Sequence, residues 1–166
     1  RLTADLCLLR CRVVLDTSGA PLAASLAAPR ENLPFAVKPN RVELEAWAGR
    51  PLKEVADIVA AARNVQELGI EVVAVSRGEQ GAIFLRGNTA LSARLPVVNA
   101  LSTVGAGDAM VAGIASSLAD NLGLEALARR AVAFATAKLG RIGPNLPSPD
   151  DVRQLARRVD VAVLAS

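Results

Sequence analysis

Apolar positions fall into short unbroken runs separated by longer runs of helical period. "CRVVLD" at 11–16, "LPFAVKPN" at 33–40, "IEVVAVS" at 70–76 and "AIFLR" at 82–86 are continuous apolar stretches of strand length. A strand buried on both faces reads this way rather than as strict alternation. The first ends in an acid and turns through "TSGAP". Pro39 closes the second, because proline cannot donate to a ladder. Between them the pattern predicts a short Ala/Leu helix at 22–28 and a helix over "RVELEAWAG" ending near Gly49, a natural residue just past a helix end. A longer helix is predicted at 52–68, with Val55, Ile58, Val59, Ala62 and Val65 on one stripe and Gly69 closing it. Gly87 and Asn88 signal a hairpin from the fourth strand into 90–95. Further on come a helix to about Leu118, apolar all round and so expected to be buried, another at 124–139, and a last at 151–158 with Ser148 and Asp150 as candidate caps.

Strands alternating with helices predict an α/β domain around a largely parallel sheet. Ligands of such sheets sit beyond the carboxyl ends of the strands. The loops at 16–19, 38–43, 76–81 and 103–108 all lie at strand ends. They are expected to converge on one edge and feed a single site.

Composition narrows the chemistry. The chain of 166 residues has no histidine, which excludes Ser-His-Asp and Cys-His catalysis and His-ligated zinc. Any general base must be a carboxylate or a lysine. A net charge of +3 is scattered, with no interleaved aromatics, so it reads as a solvated surface and not a nucleic-acid stripe. No apolar run is long enough for a membrane span and nothing resembles a signal peptide. A cytoplasmic location is expected. Cys7 and Cys11 read as two buried small hydrophobes in a reducing compartment; they either share a helix face or Cys11 begins the next strand. The chain starts at Arg1, without Met and in what reads as mid-element, so a piece of a longer protein is expected.

"STVGAGDAM" at 102–110 carries the sharpest chemistry. Gly105, Ala106 and Gly107 let backbone N–H groups approach a ligand closely at a helix N-terminus, where those groups lack intrahelical partners and the helix dipole favours an anion. Asp108 follows. It is either a helix cap or a base beside a phosphate cradle, and at the head of a buried helix it would sit at a cleft floor. The stretch is neither a Walker loop nor a dinucleotide fingerprint, since Met110 stands at the third glycine position. Asn40 and Glu43, three residues apart after a strand, suit a hydrated Mg²⁺, although taken alone the pair reads first as a capping box. Ser76, Gly78, Glu79 and Gly81 form either a phosphate-wrapping loop or an ordinary turn. Lys38 either neutralises phosphate or is a surface lysine with its charged end in water.

Together these stretches resemble the PfkB, or ribokinase-like, family of carbohydrate kinases. "STVGAGDAM" is similar to that family's C-terminal motif. "DTSG" at 16–19, "VKPN" at 37–40 and "VSRGEQGA" at 75–82 follow in the order and spacing of its phosphosugar branch. The resemblance runs from about Ala4 to about Arg158. It implies a three-layer αβα sandwich, of which the chain is the C-terminal portion without the N-terminal half and lid. It implies an ATP-dependent, 1-phosphofructokinase-like activity, transferring the γ-phosphate of Mg·ATP to fructose 1-phosphate, with tagatose 6-phosphate or fructose 6-phosphate as alternative acceptors. Residue by residue, Asp108 matches the catalytic base, and Gly105, Ala106 and Gly107 match the anion hole. Asn40 and Glu43 match the motif that organises Mg²⁺. Lys38, Asn40, Ser76, Gly78, Glu79, Gly81 and Gly107 match ATP-contacting positions, and Thr136 borders the adenine pocket.

The chain departs from the family pattern at Arg77, Ala109, Lys138 and "GRIGPNLPS". With the family's sugar-reading half absent, these residues alone are expected not to turn over, and a cut sheet edge invites self-association, a homodimer being the expected form. Two other classes remain: a truncated or decayed relative that binds nucleotide without catalysis, and a dinucleotide-binding oxidoreductase.

Overall fold

The apolar runs pair in chain order. The structure, a computed structural model, describes residues 2–96, 103–140 and 147–164. They divide into two units, one from residues 2–77 and 83–90, the other from residues 78–82 and the described part of 91–164.

The first unit contains α1 (Leu2–Leu8), β1 (Val14–Leu15), α2 (Gly19–Leu26), a 3-10 turn at Arg30–Asn32, β2 (Ala36–Val37), α3 (Arg41–Ala48), α4 (Val55–Glu67), β3 (Val72–Ser76) and most of β4 (Ala82–Arg86). β1 runs parallel to β2, with Leu15 opposite Val37, and β2 parallel to β3, with Val37 opposite Val73. β4 lies next to β3. Val72, Val73, Ala74 and Val75 are fully buried, as are Ile83, Phe84 and Leu85, as continuous apolar runs require. α4 packs on β3 and buries Ile58, Val59, Ala62 and Val65. Each such Ile or Val stabilises the fold by roughly 1.5–3 kcal/mol. Val55, the first of the predicted stripe, is exposed.

The second unit contains the end of β5 (Thr89–Arg94), α5 (Ala106–Ala119), α6 (Leu124–Leu139), α7 (Pro149–Arg158) and β6 (Asp160–Val163). β6 runs antiparallel to β5, with Leu91 opposite Val163 and Arg94 opposite Asp160. α5 and α6 approach closely. A Cβ on Gly113 would stand 2.7 Å from Ala131 Cα, so no larger residue fits that crossing. The fully buried Ser117 hydroxyl donates to the Gly113 carbonyl at 2.7 Å, so its burial leaves no unsatisfied group.

Several expectations need correction. The first two strands are only two residues long. Cys11 N–H donates to Leu6 O and so closes α1 instead of starting β1. Pro34 and Pro39 bracket β2. Cys7 is half-buried within α1 and Cys11 is exposed beyond its end, so they are neither two buried hydrophobes nor neighbours on one helix face. α2 starts at Gly19 and ends at Leu26, not at 28. α4 starts at Val55, because Pro51 precedes and Leu52 N–H donates to Glu45 Oε1 in a non-helical segment. Ser148 caps α7, accepting from Asp151 N–H, whereas Asp150 lies inside the helix. β6 is a strand beyond those expected, and its antiparallel pairing makes the strand set mixed. α5 is not buried all round. Met110, Gly113, Ile114, Ser117 and Leu118 form one buried face, while Ala112, Ala115 and Ala119 are exposed. Alanine has too little side chain to force burial. Ser102 and residues 141–146, from the first motif and the "GRIGPNLPS" stretch, lie outside the described residues.

Candidate functional site

β1 and β2 end in step. Lys38 N–H donates to Leu15 O at 3.0 Å, so Asp16 and Lys38 each follow the last paired residue of neighbouring parallel strands. Their side chains meet, with Lys38 Nζ 3.2 Å from Asp16 Oδ2. Lys38 is 5% exposed, so it is buried and is not the water-seeking surface lysine that sequence left open.

The chain then turns against β3. Ser76 N–H donates to Pro39 O at 3.1 Å, and Asn40 forms an isolated parallel bridge with Ser76. Asn40 is the N-cap of α3. Its Oδ1 accepts from Glu43 N–H at 2.8 Å, and Glu43 Oε2 accepts from Asn40 N–H at 2.8 Å. The capping-box alternative is therefore what the two residues form. It engages one oxygen of each side chain.

In the second unit, Gly78–Gln80 is a 3-10 turn. Gly78 has φ of 59° and open space around it, which leaves room for a ligand. Glu79 is exposed and its carbonyl accepts from Arg94 Nε at 3.1 Å. Gly81 has φ of 77°, and a Cβ there would stand 2.2 Å from Ala93 O. The close approach of that backbone is sufficient reason for its glycine, with no ligand required.

The 103–108 stretch opens α5. Gly105, with φ of 81°, is the N-cap and has no side chain to cap with. Ala106 N–H donates to Thr103 O at 3.4 Å and Ala109 N–H to Gly105 O at 2.9 Å. The N–H groups of Gly107 and Asp108 belong to the first turn, where no helical carbonyl precedes them. Gly107 and Asp108 are exposed, which corrects the cleft-floor expectation. Only one face of α5 is covered, and its third residue lies off that face. Asp108 is also not the cap; it stands third in the helix. Lys138 runs past this turn, its Cε 3.1 Å from where a Gly105 Cβ would be.

Thr136, two residues earlier on α6, lines a cavity of about 390 Å³ with Ala137, Gly140, Asp151, Gln154 and Leu155. The sequence singled out Thr136 alone. Asp151 and Gln154 share a face of α7, and their three-residue spacing is the sequence signal for it. The pairing of Asp16 with Lys38, twenty-two positions apart, is the other feature that sequence alone did not give.

The Cys7 thiol offers little nucleophilic chemistry. Burial, and then the neighbouring Cys11, push the Cys7 thiol up, and the thiolate is the reactive form. Among the described residues no three His, Cys, Asp or Glu side chains cluster to hold a metal. The donors present at Asn40 and Glu43 fit only a cation that keeps most of its water, as Mg²⁺ does.

Residues 4–151 match the profile of the pfkB family carbohydrate kinases. The chain belongs to this family. It is 47% identical over 154 residues to the 1-phosphofructokinase of Xanthomonas campestris pv. campestris, covering 92% of this chain and 48% of that one. It is 46% identical over 153 residues to the 1-phosphofructokinase of Rhodobacter capsulatus, covering 92% and 47%. Its fold is similar to that of phosphofructokinase-2 from Escherichia coli in complex with substrates and products, with a TM-score of 0.82 and 35% identity over 94% of this chain and 51% of that one. A ribokinase from Arabidopsis thaliana, complexed with ribose and ATP, is similar in fold at a TM-score of 0.75. The α/β, ribokinase-like fold class follows. The chain spans about half the length of the pfkB relatives it matches.

Proposed function

We propose that this chain carries the nucleotide-binding and proton-accepting machinery of an ATP-dependent phosphosugar kinase, with fructose 1-phosphate as acceptor. The observation that carries the reading is a difference between helix heads. α3, α4, α5 and α7 each have an acid as third residue: Glu43, Asp57, Asp108 and Asp151. Glu43 and Asp57 accept from the N–H of their own N-caps, and Ser148 caps α7. Among the described residues Asp108 alone of the four belongs to a helix without a capping side chain, and neither a hydrogen bond nor an ion pair engages its carboxylate. A first turn left open in this way offers N–H groups to an anion and an unengaged acid side chain to a proton.

In the proposed reaction the acceptor sugar's hydroxyl gives its proton to Asp108 as its oxygen bonds to the γ-phosphorus. The bond from that phosphorus to the β–γ bridging oxygen breaks, and ADP leaves with the electron pair. The N–H groups of the Gly105–Gly107 turn would meet charge on the transferring phosphoryl group, which needs positioning and electrostatic stabilisation more than covalent help. Lys38, Asn40, Ser76, Gly78, Glu79 and Gly81 would contact ATP. The cavity beside Thr136 would take the adenine. Asn40 and Glu43 would hold Mg²⁺ through its waters. The ion, when bound, supplies charge neutralisation of the phosphates.

The test is phosphorylation of fructose 1-phosphate by Mg·ATP, with fructose 6-phosphate and tagatose 6-phosphate as competitors. The highest kcat/KM is expected for fructose 1-phosphate. A second reading, a relative that binds nucleotide without catalysis, draws on Lys138 lying against Gly105. Calorimetric binding of Mg·ATP without turnover of any of the three sugars would favour it.

A further inference from the structure

We infer that Asp16 is a positioning residue for phosphate binding, fixing the Lys38 ammonium at the carboxyl ends of β1 and β2. The inference rests on the nucleotide reading above. Taking a lysine out of water is costly, and an ion pair recovers little more than that cost. An apolar residue at position 38 would serve the core at least as well. A buried lysine at the end of paired parallel strands therefore points to use of its charge, in the place where such sheets hold ligands.

The pairing is built by the backbone. Asp16 and Lys38 stand one residue past Leu15 and Val37, which are partners in the ladder. The Lys38 N–H bond to Leu15 O locks the two strand ends together. The Asp16 side chain is 29% exposed and that of Lys38 is 6% exposed, so the acid is the wetter member and covers the cation. Lysine's four-carbon stem samples many rotamers when free. One carboxylate at 3.2 Å selects one of them before any ligand arrives, and ordering in advance lowers the entropic cost of binding.

The experiment is a double-mutant cycle read by calorimetry with two probes, Mg·ATP and adenosine. Lys38→Met and Asp16→Ala are each expected to weaken Mg·ATP binding by about tenfold and to leave adenosine unchanged. The double variant is expected to be no weaker than Lys38→Met alone, because Asp16 acts through the lysine. Asp16→Glu is expected to recover most of the affinity. Asp16→Asn keeps the shape and one acceptor oxygen; it is expected to fall between and replaces the alanine variant should that one fail to fold. Unchanged or tighter Mg·ATP binding in Asp16→Ala or Asp16→Asn, an equal loss for adenosine, or additive losses would each overturn the inference. Unchanged Mg·ATP binding in Lys38→Met would instead remove Lys38 from the nucleotide site. A wild-type protein without affinity for Mg·ATP would remove the nucleotide reading and this inference with it.

Discussion

The heads of α3 and α5 are alike in sequence logic and opposite in outcome. Both place an acid three residues after the N-cap, and both follow a loop matching a family motif. In α3 the acid turns back on its own backbone, and Asn40 and Glu43 satisfy each other at 2.8 Å. In α5 the N-cap is a left-handed glycine and the acid stays in water. A satisfied helix head contributes stability. An unsatisfied one gives up about a kilocalorie of capping and leaves groups available for chemistry. The same residue pattern thus serves architecture in one place and, on our proposal, catalysis in the other.

The largest predicted effect separates the two acids. Asp108→Asn should lower kcat by about 10²–10⁴-fold, the range for loss of a general base, with thermal stability close to wild type. Glu43→Gln keeps a capping oxygen, so stability should hold while the Mg²⁺ concentration needed for half-maximal rate rises. Equal rates for Asp108→Asn and wild type would erase the distinction.

Next come the two glycines of the 78–81 turn. Gly81→Ala meets Ala93 O and a left-handed backbone, and should destabilise by about 2–3 kcal/mol in denaturant melts. Gly78→Ala has open space and should cost only about 1 kcal/mol, with its main effect on ATP affinity. A comparable loss is expected from Asn40→Ala, about 1 kcal/mol of stability. Ser148→Ala on α7 provides the matching control.

The smallest is a pH effect at α4. Hydrogen bonding from Arg50, then from the Glu54 backbone, holds the Asp57 carboxyl below its usual range. A depressed folded-state value gives stability that is present above the ordinary carboxylate value of about 4 and lost as pH falls through the folded value. Asp57→Asn should therefore flatten part of the acid-side decline in stability and leave the neutral plateau nearly level. An unaltered acid limb would dismiss the contribution.

What could be read from the chain alone was what is local. Gly49 past α3, Ser148 before α7, the Asn40–Glu43 box and the full span of α6 depend on neighbours within a turn. The full span of β4 was legible too, whereas the shortness of β1 and β2 was not, because their pairing is set by residues twenty or more positions away. Lys38 is the plain case: nothing near it in sequence announces Asp16. α5 misled for another reason. Its alanines are apolar by type yet small enough to face water at little cost, so apolarity all round did not mean burial. β6 was legible in the alternation of Val159, Val161 and Val163 with Asp160 and Ala162, a period of two that the preceding helix obscured.

The central claim is that the open first turn of α5 receives the nucleotide's phosphates. Amide NMR during titration with Mg·ATP tests it most directly, since the claim concerns particular N–H groups. The account predicts that the Gly107 and Asp108 amides shift strongly and saturate with the binding isotherm, while adenosine leaves them unmoved. Saturating Mg·ATP binding with those two amides unperturbed would contradict it.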